Sequence, residues 1–177
     1  MSRFLVQLSQ MDETNKKFGK IYDRYVEKIY RYVFLRVNSR EAAEDLTSET
    51  FLRGFEAYKT AGKSIENPQA FLYKIARNLV VDHYRSKGKA HLVSIEDSNL
   101  QFADTKTDLE KDAMIASDLE QVRKAMTGLS EDYQNAIIWR YLEDLPVKEV
   151  AHLLDRSEEA TRVLIHRAMN ELKTKLA

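Results

Sequence analysis

The sequence predicts an all-α protein made of two small helical domains joined by a flexible linker. The 177 residues include only two prolines and five glycines, and apolar residues recur at helical spacing over long segments. This periodicity fails between 91 and 112, where polar and acidic residues predominate. We therefore place an N-terminal arm at 1–14, a first domain at 15–90, the linker at 91–112 and a second domain at 113–177.

Three helices are predicted in the first domain. The first begins near Phe18 and is interrupted at Asn38, and Ser39 starts the second. The third starts at Asn67 and Pro68, since asparagine is a good N-cap and proline fits the first helical turn. The apolar positions that give the three helices their period are, in chain order, Phe18, Ile21, Tyr22, Tyr25, Ile29, Tyr32 and Val33; Leu46, Phe51, Phe55 and Tyr58; and Phe71, Ile75 and Leu79.

The composition excludes several classes of protein. Without cysteine the chain can form neither a disulfide framework nor a thiolate metal site, and its four histidines lack metal-site spacing, so we expect no metal and no cofactor. No apolar run approaches the ~18 residues that span a bilayer, and the start is too polar for a secretion signal. These features predict a cytoplasmic protein without membrane insertion.

Charge is segregated along the chain. The 28 basic and 28 acidic residues balance, which argues against nonspecific coating of DNA. Residues 41–56 hold five acids and one base, residues 71–89 hold five bases and one acid, and residues 90–112 hold six acids and two bases. This alternation indicates separate surfaces for separate partners.

The third predicted helix carries a candidate nucleic-acid site. The face opposite its apolar stripe, and the residues beyond that stripe, supply cations, aromatics and amides, which hold phosphates and stack or hydrogen-bond unpaired bases. A basic amphipathic helix that is merely solvated is the alternative. The candidate residues are Tyr73, Lys74, Arg77, Asn78, Asp82, His83, Tyr84, Arg85, Lys87 and Lys89.

The stretch from Asn67 to Arg85, NPQAFLYKIARNLVVDHYR, resembles the region-two signature of bacterial extracytoplasmic-function sigma factors, the small promoter-recognition subunits of RNA polymerase. The resemblance implies that this helix captures an opened DNA strand and holds a flipped base, chiefly through Asn78. Tyr73 would stack on a base or, alternatively, pack beside Tyr58. The other implied roles are pocket residues, Asp82, His83 and Tyr84, and phosphate contacts, Arg77, Arg85, Lys87 and Lys89.

The second predicted helix has an acidic outer face. Its segment AEDLTSETFL, residues 43–52, resembles the part of a sigma factor that docks on the clamp of the polymerase largest subunit. The resemblance makes Asp45, Glu49, Phe51 and Arg53 candidates for polymerase contact. An ordinary solvated face is the alternative. The same family threads its acidic linker near the polymerase active centre, whereas a plain tether would explain the composition equally well.

The second domain ends in a predicted helix-turn-helix. Leu119, Val122, Met126 and Leu129 give a first helix that ends near Gly128, and Ser130 caps a second helix with Tyr133, Ile137, Ile138 and Tyr141 on its inner face. A two-turn helix from Val147 to Leu154, a tight turn at Asp155-Arg156 and a Ser157 cap lead into the last helix, whose inner positions are Thr161, Ile165, Ala168, Leu172 and Leu176.

The last helix is the candidate reader of duplex DNA. In a helix-turn-helix, side chains near the start of the second helix reach base edges and phosphates in the major groove. A purely structural helical hairpin is the alternative. The candidates are Lys148 and Arg156 for flanking phosphates, Arg162, His166 and Arg167 for direct contact, and Ser157, Glu159 and Val163 beside them.

Residues 129–176 resemble region four of the same sigma family, with two departures. Asp155 stands where many relatives have glycine, and Leu164 stands where they have a basic residue. Both departures put the usual contacts with the minus-thirty-five element in doubt. Leu164 could instead widen an apolar surface for a protein partner.

The sequence therefore predicts a sigma factor, which is not an enzyme. Its implied partners are core RNA polymerase through the clamp and flap, promoter DNA, and an anti-sigma factor. Two rivals remain, namely a stand-alone helix-turn-helix regulator and an adaptor or sequestering protein. His83 beside Asp82 does not favour an enzyme, because neighbouring helical residues point in different directions and no nucleophile accompanies them.

Overall fold

A computed structural model of the chain describes residues 2–37, 39–61, 65–89, 121–122 and 124–177, with side chains described within these ranges from 13 to 60, from 65 to 86 and from 121 onward. The chain divides into two units, Met1–Leu92 and Val93–Ala177. Every regular element in the described residues is helical, which confirms the predicted all-α class. The predicted linker at 91–112 lies outside these residues, as does Leu119.

The first unit contains three helices, α1 (Ser2–Val37), α2 (Arg40–Ala61) and α3 (Pro68–Lys89). Helix α1 begins well before Phe18, so residues 2–14 are helical where the sequence predicted an arm. No proline or glycine occurs before Gly19, and each residue added to an existing helix gains a backbone hydrogen bond. The weak apolar pattern of residues 1–14 therefore does not mean that α1 begins after them.

Polar side chains define where α2 and α3 start, as predicted. Ser39 Oγ accepts a hydrogen bond from the Ala42 amide at 3.3 Å at the start of α2. Asn67 Oδ1 accepts from the Ala70 amide at 3.0 Å, and Pro68 occupies the first position of α3. Each cap satisfies an amide that has no partner within its own helix.

The three helices enclose an aromatic-rich core. Phe18 of α1 packs against α2, and the centroid of its ring lies 5.1 Å from that of Phe55 and 5.6 Å from that of Tyr58. Gly54 lets α2 approach closely, because a Cβ at this position would lie 3.0 Å from Leu72 Cδ2. The core residues with no exposed surface are Ile29, Tyr32 and Val33 of α1, Ala43 of α2, and Leu72, Tyr73, Ala76 and Val80 of α3.

The second unit contains a helical stretch at 121–122 and 124–127, then α4 (Glu131–Ile137), α5 (Val147–Leu153) and α6 (Glu158–Leu176). Its core includes a cluster formed by Ala125, Leu129, Ile137, Ala168 and Leu172. Val122 and Leu176, which had the spacing of inner positions, are exposed instead.

A π-helical turn, Ile138–Leu142, continues α4. Its wide turn is closed by hydrogen bonds from the Glu143 amide to the Ile138 carbonyl at 3.0 Å and from the Leu145 amide to the Trp139 carbonyl at 2.8 Å. The turn changes the phase of the helix, so Trp139 is fully buried and Tyr141 is 52% exposed. The predicted inward position of Tyr141 is therefore wrong.

The predicted turn between α5 and α6 is a Schellman motif. The Arg156 amide donates to the Ala151 carbonyl at 3.0 Å, and the Asp155 amide donates to the His152 carbonyl at 3.3 Å. Asp155 adopts φ 52°, the left-handed conformation that usually selects glycine. Aspartate tolerates it better than most residues, so the departure at this position leaves the geometry of the turn intact.

Candidate nucleic-acid and polymerase interfaces

Helix α3 presents one exposed polar stripe. Lys74, Asn78, Asp82 and Arg85 follow each other at intervals of four, four and three residues and are all exposed, so they share one face, here called the α3 stripe. Arg85 Nη1 lies 3.9 Å from Asp82 Oδ1, a loose surface pair. Arg77 is half-buried beside the stripe. The arrangement offers cations for phosphates and an amide for a base edge.

Tyr73 does not belong to this surface. Its ring is fully buried and meets the Tyr32 ring edge-on, with centroids 5.5 Å apart. It follows Leu72 and precedes Ala76 on the side of α3 that faces the core. The predicted stacking on a base is therefore wrong and is corrected to packing in the core against Tyr32 of α1, while packing beside Tyr58 stays a prediction.

The end of α3 combines two rings. The Tyr84 hydroxyl donates a hydrogen bond to the backbone carbonyl of Arg36, while its residue remains 47% exposed. Burial of the hydroxyl raises the pKa of the Tyr84 phenol. The half-buried His83 ring meets the Tyr84 ring edge-on, with centroids 5.7 Å apart. The side chains of Lys87 and Lys89 lie outside the described residues.

The outer face of α2 carries three of the four predicted polymerase contacts. Asp45 and Arg53 are exposed, and Arg53 Nε lies 2.6 Å from Glu49 Oε1. Phe51 is 5% exposed and packs its ring against Phe18 and Tyr22, so its predicted direct contact is corrected to a supporting position below the surface.

Leu52 was missed by sequence reasoning. It is a large exposed apolar residue on α2, three positions after Glu49 and seven after Asp45. This spacing places it on the same face as the acids and was already visible in the sequence. An apolar side chain ringed by charges is a common centre for a protein contact.

Helix α6 exposes the predicted duplex-facing residues together. Glu159, Arg162, Val163, His166 and Arg167 are all exposed and form the α6 face. Arg162 Nη2 lies 2.9 Å from Glu158 Oε2, and His166 Nδ1 lies 3.3 Å from Asn170 Nδ2. Both contacts join residues four positions apart, so they hold the two side chains along the surface of α6.

The residues around the start of α6 differ in the contacts that they make. Ser157 Oγ accepts from the Ala160 amide at 3.2 Å and so caps the helix, as predicted. Arg156 pairs with Asp132 of α4 at 2.8 Å, and Lys148 is exposed on α5. Leu164 is buried, so it does not widen an apolar surface.

A groove of about 370 Å³ runs between the π turn and α6. It is lined by the cationic side chains of Arg140, Arg162 and Lys173 and by His166. Arg140 was not predicted, because its place depends on the π turn; its Nη1 donates to the Leu145 carbonyl at 3.2 Å. The groove extends the basic character of the α6 face toward α4.

Neither metal chemistry nor membrane insertion finds support in the part of the chain that the structure describes. No group of three or more histidine, cysteine, aspartate or glutamate side chains converges there in a way that could hold a metal ion. None of the helices described is long and apolar enough to cross a membrane.

Comparison with known proteins gives matches for both units. The family Sigma-70 region 2 matches residues 21–90, and Sigma-70, region 4 matches residues 119–172. The chain is 33% identical to the ECF RNA polymerase sigma factor BldN of Streptomyces coelicolor over 95% of its own length and 63% of BldN, less than two thirds of that relative. It is 27% identical to the ECF sigma factor SigM of Bacillus subtilis over 87% of this chain and 91% of SigM.

Solved structures share the fold. The sigma factor RpoE from Bartonella quintana, solved in complex with the anti-sigma factor NepR, has a TM-score of 0.70 at 20% identity and covers 91% of this chain and 97% of its own. CnrH in complex with the cytosolic domain of CnrY has a TM-score of 0.65 at 17% identity and covers 92% of this chain and 88% of its own. With both sigma regions matched in order and relatives that span most of its length, the chain belongs to the extracytoplasmic-function sigma factors of bacterial RNA polymerase.

Proposed function

We propose that the chain binds core RNA polymerase as its sigma subunit and directs promoter recognition, promoter melting and the start of transcription. The observation that carries this proposal is the pairing, on one chain, of a region-two unit with the α3 stripe and a region-four unit with the α6 face. The first supplies groups for an unpaired strand and the second supplies a helix for a major groove.

The α6 face reads the upstream promoter element. Arg162, His166 and Arg167 are exposed where a recognition helix meets base edges and phosphates. Arg156 and Lys148 flank them from the turn and from α5, and contact the backbone of the duplex. Ser157 contributes through the helix start that it caps, because its hydroxyl already accepts the Ala160 amide.

The α3 stripe captures the opened strand downstream. Flipping a base from the stack costs a few kcal/mol, which contacts to the base and to its flanking phosphates must offset. Asn78 can donate to and accept from a base edge, and Lys74 and Arg85 stand on the same face for phosphates. Arg77 is half-buried and flanks the stripe, whereas the half-buried His83 leaves α3 about 140° from Asn78, on the other side of the helix.

The outer face of α2 docks on the polymerase clamp. Asp45 and Glu49 supply negative charge, Arg53 pairs with Glu49, and Leu52 supplies an apolar centre. Phe51 supports this face from within the core. The region-four unit contacts the polymerase flap, so that both units are held on one enzyme.

A separate anti-sigma protein controls the chain. The solved relative RpoE was captured with the anti-sigma factor NepR, and the fold of that relative matches this one. We place the protein in the cytoplasm with its polymerase and assign it no catalytic step, since Sigma-70 families are regulatory.

The direct test is run-off transcription with purified core polymerase on a pool of promoter DNA. We expect the wild type to transcribe a discrete set of promoters, Asn78→Ala to lose promoter opening, and Arg162→Ala to lose or change upstream recognition. Lys20→Ala removes a cation that is exposed on α1, a helix that carries neither face, and serves as the matched control.

Two outcomes of that test would replace the proposal. Binding of promoter duplex without polymerase, and no run-off product, would identify a stand-alone helix-turn-helix regulator. Binding of core polymerase without promoter-specific transcription would identify an adaptor.

A further inference from the structure

Tyr84 stands apart from the α3 stripe. With 3.6 residues per helical turn, its side chain leaves α3 about 20° from that of Tyr73 and about 40° from that of Val80, but about 200° from that of Asp82. Tyr73 and Val80 are both fully buried. Tyr84 therefore continues the core line of α3 past the end of the core, and its hydroxyl points toward α1 rather than toward a strand held on the stripe.

The hydroxyl of Tyr84 meets the end of α1. It donates to the backbone carbonyl of Arg36, one residue before α1 ends at Val37. The last four carbonyls of a helix have no partner within the helix, and Arg36 is buried, so water has little access to this one. Tyr84 thus supplies this carbonyl with a donor from a different helix, 48 residues further along the chain.

Two of the contacts between α3 and α1 lie far apart along α3, and this bond is the second of them. The first is the edge-on contact between the rings of Tyr73 and Tyr32. Eleven residues separate Tyr73 from Tyr84, which is about 16 Å along a helix axis. The buried side chains of α3 pack it against the rest of the unit as far as Val80, and the Tyr84 bond adds a contact four residues further along, where that core has ended.

We propose that Tyr84 is a positioning residue for strand capture: its hydroxyl, held by the Arg36 carbonyl, fixes the last turns of α3 and thereby the places of Asn78, Asp82 and Arg85. This inference rests on the proposed role of the α3 stripe. A surface that is already ordered in its binding geometry loses less conformational freedom on binding, and so binds more tightly with the same contacts.

The experiment compares Tyr84→Phe, which removes only the hydroxyl, with Tyr30→Phe. Tyr30 lies on α1, stacks on Phe34 at 5.9 Å, and makes no hydrogen bond through its hydroxyl to any residue that the structure describes. Full-length variants are assembled with core polymerase and tested on a pre-opened bubble template whose promoter was selected by the wild-type holoenzyme. All measurements are made at a temperature where circular dichroism shows each variant folded.

We expect Tyr84→Phe to bind the bubble about three- to tenfold more weakly, the loss associated with one net hydrogen bond. Affinity for core polymerase and for the upstream duplex should stay at the wild-type value, and Tyr30→Phe should behave as wild type. In an Asn78→Ala background the effect of Tyr84→Phe should shrink, because residues that act through one another are not additive.

Three results would overturn the inference. They are bubble binding by Tyr84→Phe equal to that of Tyr30→Phe, an equal loss of affinity for core polymerase, and full additivity with Asn78→Ala. Failure of the wild-type holoenzyme to select any promoter is a different result, which would overturn the proposed function itself.

Discussion

Arg156 Nη2 lies 2.8 Å from Asp132 Oδ2, so an ion pair joins the turn of the helix-turn-helix to the first turn of α4. The two residues are 24 positions apart in the chain. The pair holds beside the start of α6 a cation that we assign to a DNA phosphate. The same carboxylate that orients Arg156 also offsets part of its charge.

Replacing Asp132 with asparagine should lower the free energy of unfolding by less than about 1 kcal/mol, because partly exposed ion pairs contribute little. Urea titration at low and high salt measures this, and the loss should be smaller at high salt. A loss well above that range, or one that salt does not change, would mean that Asp132 stabilises the domain through contacts other than this pair.

Gly54→Ala should destabilise the first unit, because the usual cost of overpacking, about 1–3 kcal/mol, exceeds the gain of up to about 1 kcal/mol from helix propensity. The new methyl carbon would lie 3.0 Å from Leu72 Cδ2 and 3.5 Å from Phe18 Cζ. Gly19→Ala is the matched control, since a Cβ there meets nothing within 4 Å. Gly19→Ala should gain up to about 1 kcal/mol of stability from helix propensity. Thermal melting measures both variants, and a change in melting temperature of the same sign in both would refute the packing argument.

Ser157→Ala should cost about 1 kcal/mol, because the lost hydroxyl leaves the Ala160 amide without its cap. Ser130→Ala provides a control at an equivalent position, where the side chain makes no cap hydrogen bond. Its free energy of unfolding should change by a few tenths of a kcal/mol at most. Equal losses at both serines would contradict the capping geometry seen at α6.

Stability at high pH should depend on Tyr84. Burial raises the pKa of its phenol above the ordinary value of 10.0, so the folded chain keeps the proton where the unfolded chain releases it. This contribution is complete below about pH 10 and declines as the pH rises through the raised pKa. Between neutral and alkaline pH, the free energy of unfolding should therefore fall less for Tyr84→Phe than for the wild type, as measured by urea titration of both proteins. An equal fall in the two proteins would contradict the assignment.

The sequence predicted those features that depend on a few neighbouring residues. Asn67 with Pro68 defined the start of α3, and Ser157 defined the start of α6, because a cap acts over one turn. The helix-turn-helix followed from the same local signals. The exposed residues of the α6 face were also predicted, because they are opposite a regular apolar stripe.

Other features required the tertiary structure. The motif around Tyr73 assigned it to a surface, whereas the fold buries its ring against Tyr32 of α1. Phe51 had both an inward position from its helical phase and a surface role from its motif, and the fold supports the inward position. Tyr141, which was predicted to face inward, is exposed, because the π turn changes the phase of the helix after Ile137 and buries Trp139 instead. The Tyr84 contact with Arg36 joins residues 48 positions apart and has no local signal.

The number of residues in the π turn at Ile138–Leu142 also sets the direction in which the chain leaves α4. A wide turn contains one residue more than an α-helical path would need. Deleting that residue would let the α-helix continue and turn the exit of the chain by about 100° about the helix axis. An insertion or deletion at this point would therefore rotate α5 and α6 about the axis of α4, which makes the number of residues in the π turn a determinant of the direction in which the α6 face points.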